Sequence, residues 1–309
     1  MREKVPARLS RGAATSMPFD RDILLRDLRR VAYIADVQLA TAITLMETLK
    51  RPLLVEGEAG VGKTEVAKAV AEVTGRRLIR LQCYEGLDVN AAVYEWNYQR
   101  QLLAIKISEG ENLTASEREE NIFQERYLLR RPLLEAIQVE EPCVLLIDEI
   151  DSADEEFEAY LLEVLSDYQI TIPELGTLSA RSIPLVFLTS NRTRELSDAL
   201  RRRCLYHYVD YPSEEREIEI ISARLPGLSR RLAVQVAGFV QALRKEDLRK
   251  RPGIAETLDW AAALAGLDVA DIADDPEAVL GTLMCLLKTR EDRDAMRPDV
   301  VARLTAKVA

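Results

Sequence analysis

Eight residues, Gly57-Glu58-Ala59-Gly60-Val61-Gly62-Lys63-Thr64, carry the first chemistry legible in the chain. They follow G-x-x-x-x-G-K-[ST], a loop whose glycines let backbone N–H groups converge on phosphate oxygens. Lys63 would then reach the β and γ phosphates of a nucleotide, and the Thr64 hydroxyl would ligate Mg²⁺. The alternative is a glycine turn that binds nothing. Its surroundings argue against that. The apolar run Leu53-Leu54-Val55 leads into the loop as a strand would, and Val66, Ala67, Val70 and Ala71 follow it at helical spacing. A helix N-terminus facing the loop adds positive potential for an anion.

The second constellation is Val144-Leu145-Leu146-Ile147-Asp148-Glu149. It places two carboxylates at the C-terminal end of a continuous apolar run, the edge where open α/β sheets bind their ligands. Asp148 is suited to hold Mg²⁺ and Glu149 to polarise an attacking water. The alternative is an acidic first turn for the next helix, since Asp151, Asp154, Glu155 and Glu156 follow. A phosphate loop upstream predicts such an acidic strand, and together the two motifs imply ATP and Mg²⁺ as ligands.

These residues need a scaffold. Residues 20–50 show helical spacing, 78–83 read as a strand, and Thr74-Gly75 stops the helix between them. Residues 84–131 are polar and aromatic, with Thr114 and Glu117 at capping-box spacing, and read as an insert with its own helices. Residues 169–182 alternate around Pro173 and Gly176, which predicts a hairpin, and 185–188 form another buried strand. Strands alternating with helices predict an α/β, doubly wound parallel sheet over 20–212. Beyond Tyr211-Pro212 the pattern turns helical to the end. Ser213 can cap its first helix, and 213–309 read as an all-α lid domain.

Bulk properties bound the function. The net charge of −10 argues against nucleic acid as the main partner, because phosphate binding needs a basic face. Cys83, Cys143, Cys204 and Cys285 are too scattered for a zinc site or a disulfide framework. No apolar stretch is long enough for a membrane span. Residues 1–19 hold several arginines without an apolar core, so they read as a flexible tail rather than a secretory signal. The expected compartment is the cytoplasm.

The order of motifs, with Leu185-Val186-Phe187-Leu188-Thr189-Ser190-Asn191 and then Arg201-Arg202-Arg203, resembles that of AAA+ ATPases of the P-loop class. Within them it resembles the MoxR family, most closely its CoxD-like members, over residues 20–270. The resemblance implies further roles. Asn191 would be a sensor beside the γ-phosphate, a turn-capping residue being the alternative. Arg203, with Arg202 second, would be an arginine finger offered to a neighbouring subunit, a solvated basic turn being the alternative. Arg251 would be the basic residue of the lid, although the Gly-Ala-Ser-Pro-Arg stretch of many relatives is missing, and a plain surface arginine is the alternative. Gln82 would be a polar switch linking partner binding to Glu149, a simple strand-end glutamine being the alternative, and Tyr84, Tyr94 and Trp96 would contact a client unless they pack in the core.

By that resemblance the chain is an ATP-hydrolysing chaperone that forms a homo-oligomer, a hexameric ring. It would act beside a von Willebrand A-domain partner on a metalloenzyme client such as a molybdenum hydroxylase of the carbon monoxide dehydrogenase type. Two competitors remain: a nucleotide-gated scaffold with little hydrolysis, and a nucleic-acid-linked motor of the same superfamily.

Overall fold

The computed structural model describes residues 19–108, 114, 117 and 121–308. The tail predicted at 1–19 therefore lies almost wholly outside the described residues, as does most of 109–120. Thr114 and Glu117 are described, and their side chains and backbone N–H groups bond reciprocally in the predicted capping box.

Helices α1 (Arg21–Arg30) and α2 (Val37–Leu49) open the chain, capped by the carboxylates of Asp20 and Asp36. Then come β1 (Leu53–Gly57), α3 (Lys63–Thr74) and β2 (Leu78–Gln82). The insert holds α4 (Val89–Ala92), β3 (Tyr94–Trp96), α5 (Tyr98–Ile107) and β4 (Leu128–Arg130). After α6 (Pro132–Gln138), β5 (Val144–Asp148) and α7 (Glu155–Asp167), β6 (Gln169–Ile172) and β7 (Gly176–Ser179) form the predicted hairpin. Next are β8 (Leu185–Ser190), α8 (Asp198–Arg203) and β9 (Leu205–Val209).

Five strands form one parallel sheet in the order β2-β5-β8-β1-β9. Alternation at period two explains why its central strands are apolar throughout. Leu54, Leu145, Ile147, Val186 and Leu188 enter a core shared with α6, α7 and the insert. Leu53, Val55, Val144, Leu146, Leu185 and Phe187 enter a second core with α1, α2 and α3. The edge strand β9 has no such run. Tyr206 and Tyr208 are exposed on it, so periodicity alone did not mark it as a strand.

The insert departs from expectation in one respect. Beside its helices it holds an antiparallel strand pair, with Tyr94 opposite Arg130 and Trp96 opposite Leu128. Trp96 is buried, edge-on to Tyr94 and to Phe123 at 6.4 and 5.3 Å between ring centroids. For Trp96 the core reading holds, whereas Tyr84 is half exposed.

Six helices follow: α9 (Glu214–Arg224), α10 (Arg230–Leu243), α11 (Ile254–Gly266), α12 (Pro276–Thr282), α13 (Arg290–Ala295) and α14 (Pro298–Thr305). Ser213 caps α9 through Arg216 N–H, with Glu214 and Glu215 in the first turn. Phe239 and Trp260 meet in the centre of this helical core at 4.8 Å between ring centroids. Beside them lies a buried ion pair. Arg244 grips both oxygens of Glu217 at 2.7 Å and donates to the Pro252 carbonyl at 2.8 Å, while Thr257 and Gln241 donate to Glu217. Removing one partner strands a buried charge, so Arg244→Met is expected to lower unfolding stability by about 3–5 kcal/mol in a denaturant titration.

The same network holds the turn at Pro252-Gly253 against the phosphate loop. Ile254 N–H donates to the Gly60 carbonyl at 2.8 Å. A Cβ on Gly253 would lie 2.7 Å from the Gly60 carbonyl, closer than side chains tolerate. Gly253→Ala is therefore expected to push α11 off the loop at a cost of about 1–3 kcal/mol. ATP titration should read this as weaker binding with helix content unchanged by circular dichroism.

Candidate functional site

The phosphate loop joins β1 to α3, and its backbone bends where only glycine bends freely. Gly60 and Gly62 have φ of +79° and +97°. Lys63, buried at the start of α3, donates from Nζ to the carbonyls of Gly57 and Glu58 at 2.8 and 2.6 Å. Burial pushes its ammonium below the usual lysine range, opposed by the carboxylates of Asp151, Glu58, Asp148 and Glu149.

Parallel pairing brings β5 beside both β2 and β8, and this gathers the acidic residues with their partners. Asp148 is buried at the end of β5. Its Oδ1 accepts from the Thr64 hydroxyl at 2.9 Å and from the Thr189 hydroxyl, and its Oδ2 accepts from Arg80 Nε at 3.1 Å. Arg80 also donates to Gln82 Oε1. Thr64 and Asp148 thus present hard oxygen donors beside the loop, a set that fits Mg²⁺, which takes one or two protein oxygens and fills the rest with water and phosphate. Among the described residues no cluster of three or more His, Cys, Asp or Glu side chains could hold a metal alone.

Glu149 follows at a left-handed φ of +56°, uncommon outside glycine and asparagine. Its N–H donates to the Thr189 hydroxyl at 2.9 Å. Its carboxylate is held from both sides. Gln82 Nε2 donates to one oxygen at 2.9 Å, and Asn191 Nδ2 to the other at 3.3 Å. Asn191 is itself fixed by its N–H, which donates to Asp151. Burial works to raise the Asp151 carboxyl, but donation from the Thr193 hydroxyl and from the backbone of Thr193 and Asn191 holds it below the usual range.

Of these groups, Lys63, Thr64, Asp148, Glu149, Thr189 and Asn191 face a cleft of about 840 Å³. Its far wall comes from Tyr33 and Ile34 before α2, from Tyr211 and Ile220, and from Ile254 and Leu258 of α11, an apolar end suited to a flat base. Two salt bridges of α9 cross the wall, Arg216 to Asp36 at 2.9 Å and Arg224 to Glu65 at 3.0 Å. The phosphate loop from Ala59 to Thr64, with Asp148, Glu149 and Asn191, lines one continuous space; Gly57 and Glu58 enter through the carbonyls that hold Lys63.

Residues 53–209, more than half of the chain, match the ATPase family associated with various cellular activities (AAA). The chain belongs to the AAA family. No curated protein matches it significantly. Solved structures that match the chain include the RuvB Holliday junction branch migration motor of Thermotoga maritima. It is 16% identical with a TM-score of 0.46, over 80% of this chain and 66% of that one. Two RuvB variants from the same organism are 20% and 17% identical with TM-scores of 0.48; they cover 80% and 89% of this chain and 67% and 71% of theirs.

The remaining sequence candidates of this AAA chain lie apart from the cleft. Arg201, Arg202 and Arg203 end α8, beside the edge strand. Arg201 turns inward to the buried Glu56 at 2.9 Å. Arg202 and Arg203 are exposed, with Arg203 donating to the Ser166 hydroxyl and to the Ala199 carbonyl at 3.2 Å. Arg251 is exposed and does not line the cleft; the cations of the helical region on its wall are Arg216 and Arg224. The sequence reading missed these two, Arg80 and Thr189, and it named Asp151 only as part of an acidic turn. A signal existed for Arg80, a charged residue two positions before Gln82 on the same face of a strand.

Proposed function

We propose that the chain is a ring-forming ATPase that binds ATP in the cleft between the sheet and the helical region. The observation that carries this is Glu149, held between the amides of Gln82 and Asn191 at the open edge of the sheet, beside Lys63 and Asp148. A carboxylate oriented by two donors, with Lys63 nearby for the phosphates, is arranged to polarise water against a γ-phosphoryl group. Lys63 leaves the carbonyls of Gly57 and Glu58 for the β and γ phosphates, and the loop N–H groups take the remaining oxygens. Thr64 and Asp148 would hold Mg²⁺, which would supply positive charge against those phosphates. Asn191 keeps Glu149 and the water in register, and Gln82 withdraws or restores Glu149 as the partner state of β2 changes.

Exposed Arg203, with Arg202 second, acts in trans on the neighbouring subunit's nucleotide, which makes hydrolysis depend on assembly. Arg251 has no place in this scheme beyond the lid surface. The ring is hexameric and cytoplasmic in this reading, of MoxR, CoxD-like type. Its stroke remodels a metalloenzyme during cofactor maturation, a molybdenum hydroxylase such as a carbon monoxide dehydrogenase, with a von Willebrand A-domain protein as adaptor.

Steady-state turnover measured against protein concentration tests the ring. Specific activity should rise as subunits assemble in ATP, with sedimentation following the same curve. ATP binding without turnover at any concentration would favour a nucleotide-gated scaffold. Salt-sensitive stimulation by DNA or RNA would favour a nucleic-acid motor. The client is tested by producing the hydroxylase with wild type or with Glu149→Gln; equal cofactor occupancy in both would remove the maturation role.

A further inference from the structure

An arginine outside both nucleotide motifs, Arg51, holds the helix that carries the arginine cluster. It sits just before β1, half-buried, and its guanidinium spans the C-terminus of α8. Nε donates to the Arg203 carbonyl at 3.1 Å, and Nη2 donates to the carbonyls of Arg202 and, at 3.3 Å, Cys204. The last carbonyls of a helix have no partner within it and carry partial negative charge, so a planar guanidinium meets both needs. Helix α8 has only six residues, too few to hold its own direction.

The seat of Arg51 is itself fixed. Tyr168 donates its hydroxyl to the Lys50 carbonyl at 2.9 Å, and Leu205 N–H donates to the Pro52 carbonyl at 2.8 Å. On the other side of α8, Arg201 is tied to Glu56 of the same strand β1. The two ties set the rotation of α8 about its axis. Arg201 points in, and Arg202 and Arg203 point out.

We infer that Arg51 is a positioning residue for the trans-acting arginine: it sets where Arg203, or Arg202, is offered to the next subunit. The inference rests on the ring reading above. Arg51 does not line the cleft, so its loss leaves the subunit's own binding site whole. A misplacement of about 1 Å in a group acting on the transition state costs on the order of 10²-fold in rate. Arg51→Ala should therefore lower turnover by about that factor with ATP affinity unchanged, and Arg51→Lys, whose single ammonium nitrogen lacks the planar fork that spans three carbonyls, should fall between.

Subunit mixing separates this role from general damage. Glu149→Gln hydrolyses at a small fraction of the wild-type rate but offers an intact arginine. Arg51→Ala keeps its Glu149 but offers a misplaced one. Mixing the two before ATP is added should restore turnover, as mixing Arg203→Ala with Glu149→Gln should. If Arg51→Ala does not fold, Arg51→Lys takes its place in the same mixture. Full activity of the Arg51 variants alone, or failure of mixing to rescue them while it rescues Arg203→Ala, overturns the inference and leaves the ring reading intact. Undiminished turnover by Arg202→Ala/Arg203→Ala overturns both.

Discussion

Glu149→Gln is expected to lower ATP turnover by about 10²–10⁴-fold, the usual contribution of a positioned general base, while ATP still binds. The substitution keeps size and removes the charge proposed to polarise water. It leaves Lys63, Thr64 and Asp148 in place, and the phosphate loop stays shaped by the positive φ of Gly60 and Gly62. A fluorescent ATP analogue would report affinity, and phosphate release would report turnover. Equal turnover in the variant and the wild type would remove Glu149 from the chemistry. Loss of binding together with turnover would mean that Glu149 shapes the cleft rather than serving the water.

Lys63→Ala should do the reverse and remove binding itself. Four carboxylates, Asp151, Glu58, Asp148 and Glu149, surround the Lys63 ammonium closely enough to oppose the effect of its burial. Without it, a triphosphate would enter a site of uncompensated negative charge. Truncating one member of a buried, hydrogen-bonded charge pair costs about 2–5 kcal/mol, so affinity should fall by at least roughly 30-fold. Calorimetric titration of ATP into folded Lys63→Ala decides this. Unchanged affinity would show that the backbone N–H groups of the loop suffice. The two variants form a pair, because Glu149→Gln separates chemistry from binding and Lys63→Ala takes binding away. In subunit mixtures Lys63→Ala should still offer its arginine to a neighbour if ATP is not needed to seat α8.

The exposed apolar side chains of α5, Tyr98, Leu102, Leu103 and Ile107, project from the insert away from the cleft. Nothing in the nucleotide chemistry uses them. Trp96, at the end of β3 just before α5, packs against Phe123 and Tyr94.

The amino-acid sequence alone determined the parts whose geometry is set by near neighbours in the chain. A strand, a glycine loop and a helix in succession need no distant residue to cradle phosphate, so residues 57–64 were legible as a unit. Asp148 and Glu149 were legible because an apolar run ending in acid marks the open edge of a buried parallel strand. Caps at Asp36, Asp154 and Ser213 are equally local. Tertiary structure alone decided what the carboxylates and arginines touch. The order β2-β5-β8 places Arg80 and Gln82 on one side of Asp148 and Glu149, and Thr189 and Asn191 on the other. No periodicity in the chain encodes that order. The same holds for Arg51, whose partners lie about 150 residues away along the chain, and for the strand pair of the insert, closed between Tyr94 and Arg130. Arg251 shows the limit from the other side. Its position near a Pro-Gly turn was visible, but the packing of Gly253 on Gly60 leads α11 into the cleft by Ile254, Ala255, Leu258 and Asp259 and leaves Arg251 in solvent. A motif fixes backbone direction over one or two turns, and beyond that distance only the packed sheet determines which side chains meet.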